Sequence, residues 1–176
     1  MILRNFAVLT LFAAAAAGCS TVSDLPGQRI GSATLTLANG QPAGSAQIVA
    51  VGNRVTLAVG AAGIAPGVHG IHLHTTGACK APDFASAGGH LNPLGKHHGT
   101  LAPDGAHEGD LPNLTISAGG NGALTADLSG TPDQVRSWLF DADGAAIVIH
   151  ADPDDYKSDP SGNSGARIAC AVIKPA

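Results

Sequence analysis

Short apolar segments separated by glycine-containing turns restrict the fold of this chain more than any other feature of its sequence. Segment 33–37 alternates apolar and polar side chains, as a half-buried strand does. Asn39-Gly40 and Gly52-Asn53 are turn sequences typical of hairpins. The sequence predicts eight strands, at 33–37, 46–51, 54–59, 67–74, 112–117, 122–128, 145–150 and 166–173. Their spacing, with 24 glycines in the chain, predicts an all-β fold, an eight-stranded antiparallel sandwich or barrel.

Two long stretches depart from this pattern. Residues 75–110 are rich in Gly and His, and residues 151–165 are acidic and rich in Pro, Gly and Ser. Long loops inside a compact domain are usually functional or disordered, so these two are the expected place of any site. One helical turn is predicted at 132–138, where Thr131 can cap it and Pro132 suits its first position.

The first residues have the composition of an export signal. Arg4 supplies a positive charge, and residues 6–17 form an apolar run too short to span a bilayer comfortably. The small residues Ala16-Ala17-Gly18 then precede Cys19. This pattern predicts a secretory signal peptide over residues 1–18.

Small residues followed by cysteine resemble a bacterial lipobox, which implies cleavage before Cys19 and a lipid on its sulfur. Ala16 stands where a lipobox usually has leucine, so the alternative is an ordinary signal peptide, with Cys19 removed or left free. With the lipid, residues 19–29 form a tether and residues 30–176 the folded domain. The protein is then exported, periplasmic or at the cell surface, and anchored in a membrane. Ser20, rather than Asp, favours the outer membrane.

Charge and cysteine content limit the partners of the exported chain. Of nine Lys+Arg, Arg4 leaves with the signal peptide, and eight against 13 Asp+Glu give a formal charge of −5. No basic footprint for nucleic acid exists, and an anionic substrate needs local positive charge.

The cysteines allow one disulfide. If Cys19 carries lipid, Cys79 and Cys170 remain as a pair. An oxidising compartment permits a disulfide between them, the alternative being two separate buried thiols.

Histidines are concentrated where the strand pattern meets the first long loop. His72 and His74 share one face of the predicted strand 67–74, and His69 points to the other. Two imidazoles at this spacing can hold one metal ion, although a solvated pair is the alternative. More candidate ligands follow in the chain: His90, His97, His98, His107, Asp110 and His150. Imidazole and carboxylate suit zinc, and imidazole suits copper. A histidine-rich loop that binds metal weakly explains neither the strand pair nor His150.

Four segments resemble copper/zinc superoxide dismutase in order and spacing: Gly67 to His74, Gly88 to Pro93, His107 to Leu111 and Gly162 to Cys170. The resemblance covers about residues 30–173. It implies a Greek-key β-sandwich. It also implies an oxidoreductase that converts superoxide to dioxygen and hydrogen peroxide by Cu(II)/Cu(I) cycling, at a copper site bridged to zinc through His90.

The resemblance assigns a ligand role to each matching residue. The copper ligands it implies are His72, His74, His90 and His150, and the zinc ligands are His90, His98, His107 and Asp110. The spacing from His90 and the following Gly99 favour His98 over His97. His97 is then a surface residue, and His69 a core residue hydrogen-bonded to the backbone.

Further roles follow from the same resemblance. Asp154 is expected to link His72 and His98 and to orient both rings. The disulfide joins Cys79 to Cys170. Arg167 is expected beside the copper as the guide of the anionic substrate; the alternative is a surface arginine paired with Asp159 or Asp155. The second long loop is shorter than in the eukaryotic enzymes, and Ser161 stands where they have threonine.

Two functions of other classes compete with this interpretation. A metal-buffering lipoprotein would use the same ligands without turnover, although a relative that lost catalysis is expected to lose copper ligands or the arginine. A plain adhesive β-sandwich leaves the histidine-rich loop unexplained. The expected partners are superoxide and a membrane, with no nucleic acid. The resemblance allows a monomer or a homodimer.

Overall fold

The computed structural model describes residues 27–176. The predicted signal peptide, Cys19 and the tether up to residue 26 lie outside the described residues. The first strand begins at Gln28, two residues before the predicted start of the domain.

Ten strands and one α-helix make up the described part of the chain. The strands are β1 (Gln28–Leu37), β2 (Pro42–Val51), β3 (Arg54–Ala62), β4 (Gly67–His69), β5 (Ile71–His74), β6 (Leu114–Ile116), β7 (Asn121–Leu128), β8 (Ala146–His150), β9 (Arg167–Val172) and β10 (Lys174–Pro175). The helix α1 spans Pro132–Leu139, and a 3-10 turn spans Ala85–Ala87.

The strands form one curled antiparallel sheet in the order β5-β8-β9-β1-β2-β3-β7, with β10 also paired to β1 and a separate pair β4-β6. Hairpin neighbours β1, β2 and β3 stay adjacent, whereas β9 returns from the far end of the chain to pair with β1. The prediction of an all-β antiparallel fold is confirmed. This order places β5 beside β8, so the histidines of both strands meet at one edge of the sheet.

The predicted strand 67–74 is divided into β4 and β5 at Gly70, which was not expected. Gly70 N–H donates to Asp152 O, and Gly70 O accepts from His150 N–H, both at 2.8 Å. A side chain at Gly70 would meet Ser164 Oγ at 2.7 Å. The second long loop and the end of β8 therefore draw the backbone out of line at this residue.

The core lies inside the curled sheet and follows the alternation of the strands. Ile48 of β2 and Leu57 of β3 are buried there, and α1 adds Val135 and Leu139. Thr131 and Gln134 form a reciprocal capping box at the start of α1, so the predicted cap is confirmed and the helix continues to Leu139. Within residues 27–176, no helix combines the length and apolar character needed to cross a bilayer.

Strand β8 is buried along its whole length because protein covers both of its faces. Ile147 and Ile149 face the main core. Ala146 and Val148 pack in a second apolar cluster with Phe84, which comes from the first long loop. The predicted disulfide between Cys79 and Cys170 is present, with Cα atoms 5.7 Å apart. The long loop is thus fixed to β9 by both packing and a covalent bond.

Candidate metal centre

Strand β5 supplies two histidines because its apolar and imidazole side chains alternate. Ile71 and Leu73 belong to the main core, so His72 and His74 point to the opposite face, where the long loops cover them. All four residues are fully buried. Burial places these two imidazoles in a site from which water is largely excluded.

The first cluster consists of four buried histidines from three parts of the chain. They are His72, His74, His90 and His150, and each offers a ring nitrogen within 4.8 Å of all the others. The backbone of His90 bridges that of His74, which brings the first long loop onto the edge of β5. The structure therefore brings together the four residues that the resemblance implies for copper.

Hydrogen bonds at the other ring nitrogens fix the orientation of these imidazoles. His74 Nδ1 donates to Gly88 O at 3.0 Å, and His150 Nδ1 to Gly165 O at 3.3 Å. His72 Nε2 donates to the carboxylate of Asp154 at 2.8 Å. In a neutral imidazole, each of these bonds assigns the proton to the outer nitrogen and directs the lone pair of the second nitrogen into the cluster.

The second cluster is built around one carboxylate oxygen. Oδ1 of Asp110 lies 2.8 Å from His90 Nδ1, 3.1 Å from His98 Nδ1 and 3.2 Å from His107 Nδ1. Burial alone would raise the pKa of Asp110, but the hydrogen bonds from His90 and from Gly99 N–H outweigh it and hold the pKa well below its usual range. An ionised carboxylate and three imidazoles form a donor set that suits zinc.

His90 belongs to both clusters. Its Nδ1 faces Asp110, whereas its Nε2 faces the first cluster and is buried without a hydrogen-bond partner among residues 27–176. The ring is therefore shared between the two sites.

Asp154 connects the clusters a second time. Its Oδ2 accepts from His72 Nε2, and its Oδ1 accepts from His98 Nε2 at 2.9 Å. Gly162 packs so close to Oδ1 that a side chain there would overlap it. Asn113 exchanges two hydrogen bonds of 2.9 Å with the backbone of Asp154. Asn113 was not predicted as a site residue, because no local pattern marks a contact across 41 residues.

Burial keeps His74, His90 and His150 neutral. It lowers the pKa of His74 to about 2, that of His150 to about 3 and that of His90 to about 4. Burial disfavours the charged imidazolium, and the neighbouring imidazoles disfavour it further. Neutral imidazole binds one metal ion through its unprotonated nitrogen, so at neutral pH each of these rings can take up one metal ion without losing a proton.

A cavity of about 450 Å³ opens directly over the first cluster. Its lining includes His74, His90, His150, Ser161 and Arg167. Nη1 of Arg167 donates to Phe84 O at 2.8 Å and Nη2 to Gly88 O at 2.7 Å. Arg167 is therefore fixed by two neutral carbonyls and forms no salt bridge with Asp155 or Asp159, so it places a positive charge at the cavity wall. A larger groove, of about 520 Å³, runs along β1 and β2 and contains no histidine.

The two remaining histidines of the described chain stand apart from both clusters. His69 is buried, with Nδ1 2.8 Å from His150 O and Nε2 3.0 Å from Ala65 O. His97 is 66% exposed at its side chain and lies 2.8 Å from a carboxylate oxygen of Asp159. Their expected places, in the core and at the surface, are confirmed.

Residues 42–173 match the family model described as copper/zinc superoxide dismutase. The chain is 42% identical to a copper/zinc superoxide dismutase of Aquifex aeolicus over 146 residues, which cover 81% of this chain and 85% of the relative. It is 40% identical to that of Caulobacter vibrioides, with coverage of 81% and 84%.

Two solved structures extend the comparison to the fold. A double mutant of a superoxide dismutase-like protein from Bacillus subtilis superposes with a TM-score of 0.72 at 39% identity, over 80% of this chain and 94% of that one. The copper/zinc superoxide dismutase of Brucella abortus gives 0.63 at 27% identity, over 81% and 98%.

Proposed function

The chain belongs to the copper/zinc superoxide dismutase family, and from this premise we propose which of its residues carry the reaction. The reaction consumes two superoxide anions and two protons and releases one dioxygen and one hydrogen peroxide. His72, His74, His90 and His150 hold copper. His90, His98, His107 and Asp110 hold zinc.

The observation that carries this assignment is a set of five buried ring nitrogens without hydrogen-bond partners among residues 27–176. They are His72 Nδ1, His74 Nε2, His90 Nε2, His150 Nε2 and His98 Nδ1. A buried polar atom with no partner is costly, and native proteins keep few of them. Four of the five converge in the first cluster and the fifth faces Asp110 in the second. Metal ions in both clusters would satisfy all five, so the residues fit the two cofactors of the family.

When bound, copper would supply the one-electron redox chemistry that dismutation of superoxide needs, and zinc would keep a single oxidation state. The protein positions the rings and excludes water around them. His90 lines the open cavity, and its Nε2 can hold a proton when it does not act as a ligand. The ring is thus placed to supply one of the two protons that peroxide formation consumes.

Arg167 attracts and orients the substrate. A guanidinium is charged at every working pH, and its hydrogen bonds within residues 27–176 go to two neutral carbonyls, with Asp83 the carboxylate that acts on its charge without forming a salt bridge. The predicted mature chain is net negative, so the local field at the cavity must reverse that sign. Ser161 also lines this cavity and adds a hydroxyl to it.

We also propose that the protein is exported and tethered by a lipid on Cys19. The apolar run 6–17 before Cys19 and the disulfide between Cys79 and Cys170 support export, since such bonds persist in oxidising compartments. Cys19→Ser should move the protein from the membrane fraction to the soluble fraction with unchanged specific activity. Membrane retention of this variant, with no acyl mass on the wild type, would point to another anchor.

The proposed function is tested by metal analysis and a dismutation assay on the purified full chain. One copper and one zinc per chain, with fast dismutation, are expected. Stoichiometric metal without turnover would instead support the metal-buffering alternative. Sedimentation of the same sample distinguishes a monomer from a homodimer.

A further inference from the structure

We propose that the ion pair between the buried Glu108 carboxylate and Lys96 is a clasp that closes the first long loop around the second cluster and slows the loss of its metal ion. The inference rests on the proposed function, because it takes that cluster to be the zinc site. Neither residue belongs to either cluster. Both are thus positioning residues that act on the metal through the ligands beside them.

The Glu108 carboxylate is almost completely removed from water. Its side chain is 1% exposed, and its Oε1 lies 3.0 Å from the ammonium of Lys96, which is 36% exposed. Neither carboxylate oxygen has a well-aligned hydrogen-bond partner among residues 27–176. The ammonium is therefore the group that compensates this buried charge.

Both ends of the pair are attached to fixed backbone. Lys96 N–H donates to the side chain of Asn92, whose amide donates back to Lys96 O, both at 2.9 Å. On the other side, Gly109 N–H donates to Leu91 O, and Gly109 O accepts from Leu73 N–H, both at 2.9 Å. The ion pair thus connects two anchored points of the loop.

The ion pair closes the segment that contains two of the proposed zinc ligands. Lys96 stands two residues before His98, and Glu108 follows His107 directly. If His98 and His107 move apart as the metal ion leaves, their chain neighbours Lys96 and Glu108 are carried apart as well. Separation would leave the carboxylate buried and uncompensated, or would require that it reach water. Breaking a buried pair is strongly unfavourable for this reason, so the clasp opposes opening of the site.

The experiment measures metal binding rather than activity. The metal-free full chain is titrated with Co(II) alone, and the visible absorption of the tetrahedral ion reports occupancy of the second cluster. Excess chelator then gives the release rate. Lys96→Met leaves the buried carboxylate unpaired, and we expect affinity to fall and release to accelerate by about 10-fold or more, the size of effect seen for residues that support metal ligands.

A double-mutant cycle separates the clasp from a general loss of stability. Glu108→Gln removes the charge without leaving an unpaired ion, so its effect should be smaller than that of Lys96→Met. The double variant should recover most of the loss, and Lys96→Arg should release Co(II) at nearly the wild-type rate. Arg54→Met is the matched control, because its partner Asp127 is 3.7 Å away in an exposed pair, and it should change nothing.

Two results would overturn the clasp, and neither is the result that overturns the zinc assignment. Wild-type affinity and release in Lys96→Met, or strictly additive effects in the double variant, would show that the pair does not hold the site. If Lys96→Met fails to fold, Glu108→Gln and the double variant decide, and unchanged release in both contradicts the proposal. A wild-type chain that gives no tetrahedral Co(II) spectrum contradicts the zinc assignment itself.

Discussion

His90 is the residue on which both clusters depend, since its two nitrogens face different sites. Other ligands serve one cluster each, and this division makes the assignments separable by mutation. His72, His74 and His150 belong to the proposed copper site, whereas His98 and His107 belong to the proposed zinc site. A substitution on one side should leave the other metal in place.

His150→Ala and His98→Ala should have different consequences. The first removes a nitrogen from the copper set alone, so dismutation should be almost completely lost while about one zinc per chain is retained. The second should weaken zinc binding and lower the unfolding temperature. Metal analysis beside an activity assay distinguishes them, with His97→Ala as the control, because that neighbouring imidazole is exposed and should leave both metals in place. Full activity in His150→Ala would contradict the copper assignment.

Arg167 provides a second prediction at the scale of one side chain. Arg167→Ala should reduce dismutation by about 10-fold with normal metal content, because the attraction that raises the encounter rate is removed. Arg167→Glu should be slower still, since it adds repulsion. Rising ionic strength should slow the wild type more than the Ala variant. Equal rates and equal salt dependence in all three proteins would exclude Arg167 as the substrate guide.

At the scale of elements, the two long loops are held to the sheet by a small number of specific bonds. The disulfide joins the first loop to β9. Arg167 of β9 donates to Phe84 O and Gly88 O of the same loop. The disulfide therefore supports the segment that holds the substrate guide in place.

Replacing both Cys79 and Cys170 by Ser should affect stability and activity together. The closed segment spans a separation of 91 residues, and the chain-entropy model predicts a loss of roughly 4–5 kcal/mol in the free energy of unfolding for a loop of that size. Activity should fall because the backbone partners of Arg167 become mobile. Denaturant unfolding and an activity assay on the metal-loaded variant measure both effects. A variant with wild-type activity but reduced stability would show that the bond does not support the guide.

Elements that depend on local signals were predictable from the sequence, and elements that depend on distant contacts were not. The turns before β2 and β3 and the cap of α1 are determined by residues that are neighbours in the sequence. The break at Gly70 is not, because Asp152 and Ser164 reach it only after the chain has folded. The ion pair of Lys96 with the buried Glu108 was missed for the same reason, since two charged residues in a polar loop ordinarily face water.

At the scale of the whole molecule, the buried neutral histidines should make the metal-free protein less stable in acid. In the unfolded chain a histidine has a pKa near 6.5. In the folded chain the pKa is about 2 for His74, about 3 for His150 and about 4 for His90, because burial disfavours the charged ring. Between these values the unfolded chain binds protons that the folded chain does not.

The free energy of unfolding of the metal-free protein should therefore be level above about pH 7 and fall as the pH drops below 6.5. Each of the three histidines contributes a slope of about 1.4 kcal/mol per pH unit, so the combined slope approaches about 4 kcal/mol per unit near pH 5. Asp110, whose pKa is lowered in the fold, acts in the same direction below about pH 4. His97 acts in the opposite direction, because Asp159 raises its pKa, so its contribution is lost as the pH rises; it is exposed and its effect is small.

Denaturant unfolding at pH 8, 7, 6 and 5 measures this dependence of the free energy of unfolding on pH. Because bound metal competes with protons for the same nitrogens, the metal-loaded protein should retain its stability to a lower pH, and a metal-free curve that stays level from pH 7 to pH 5 would contradict the neutral, buried state of the three rings.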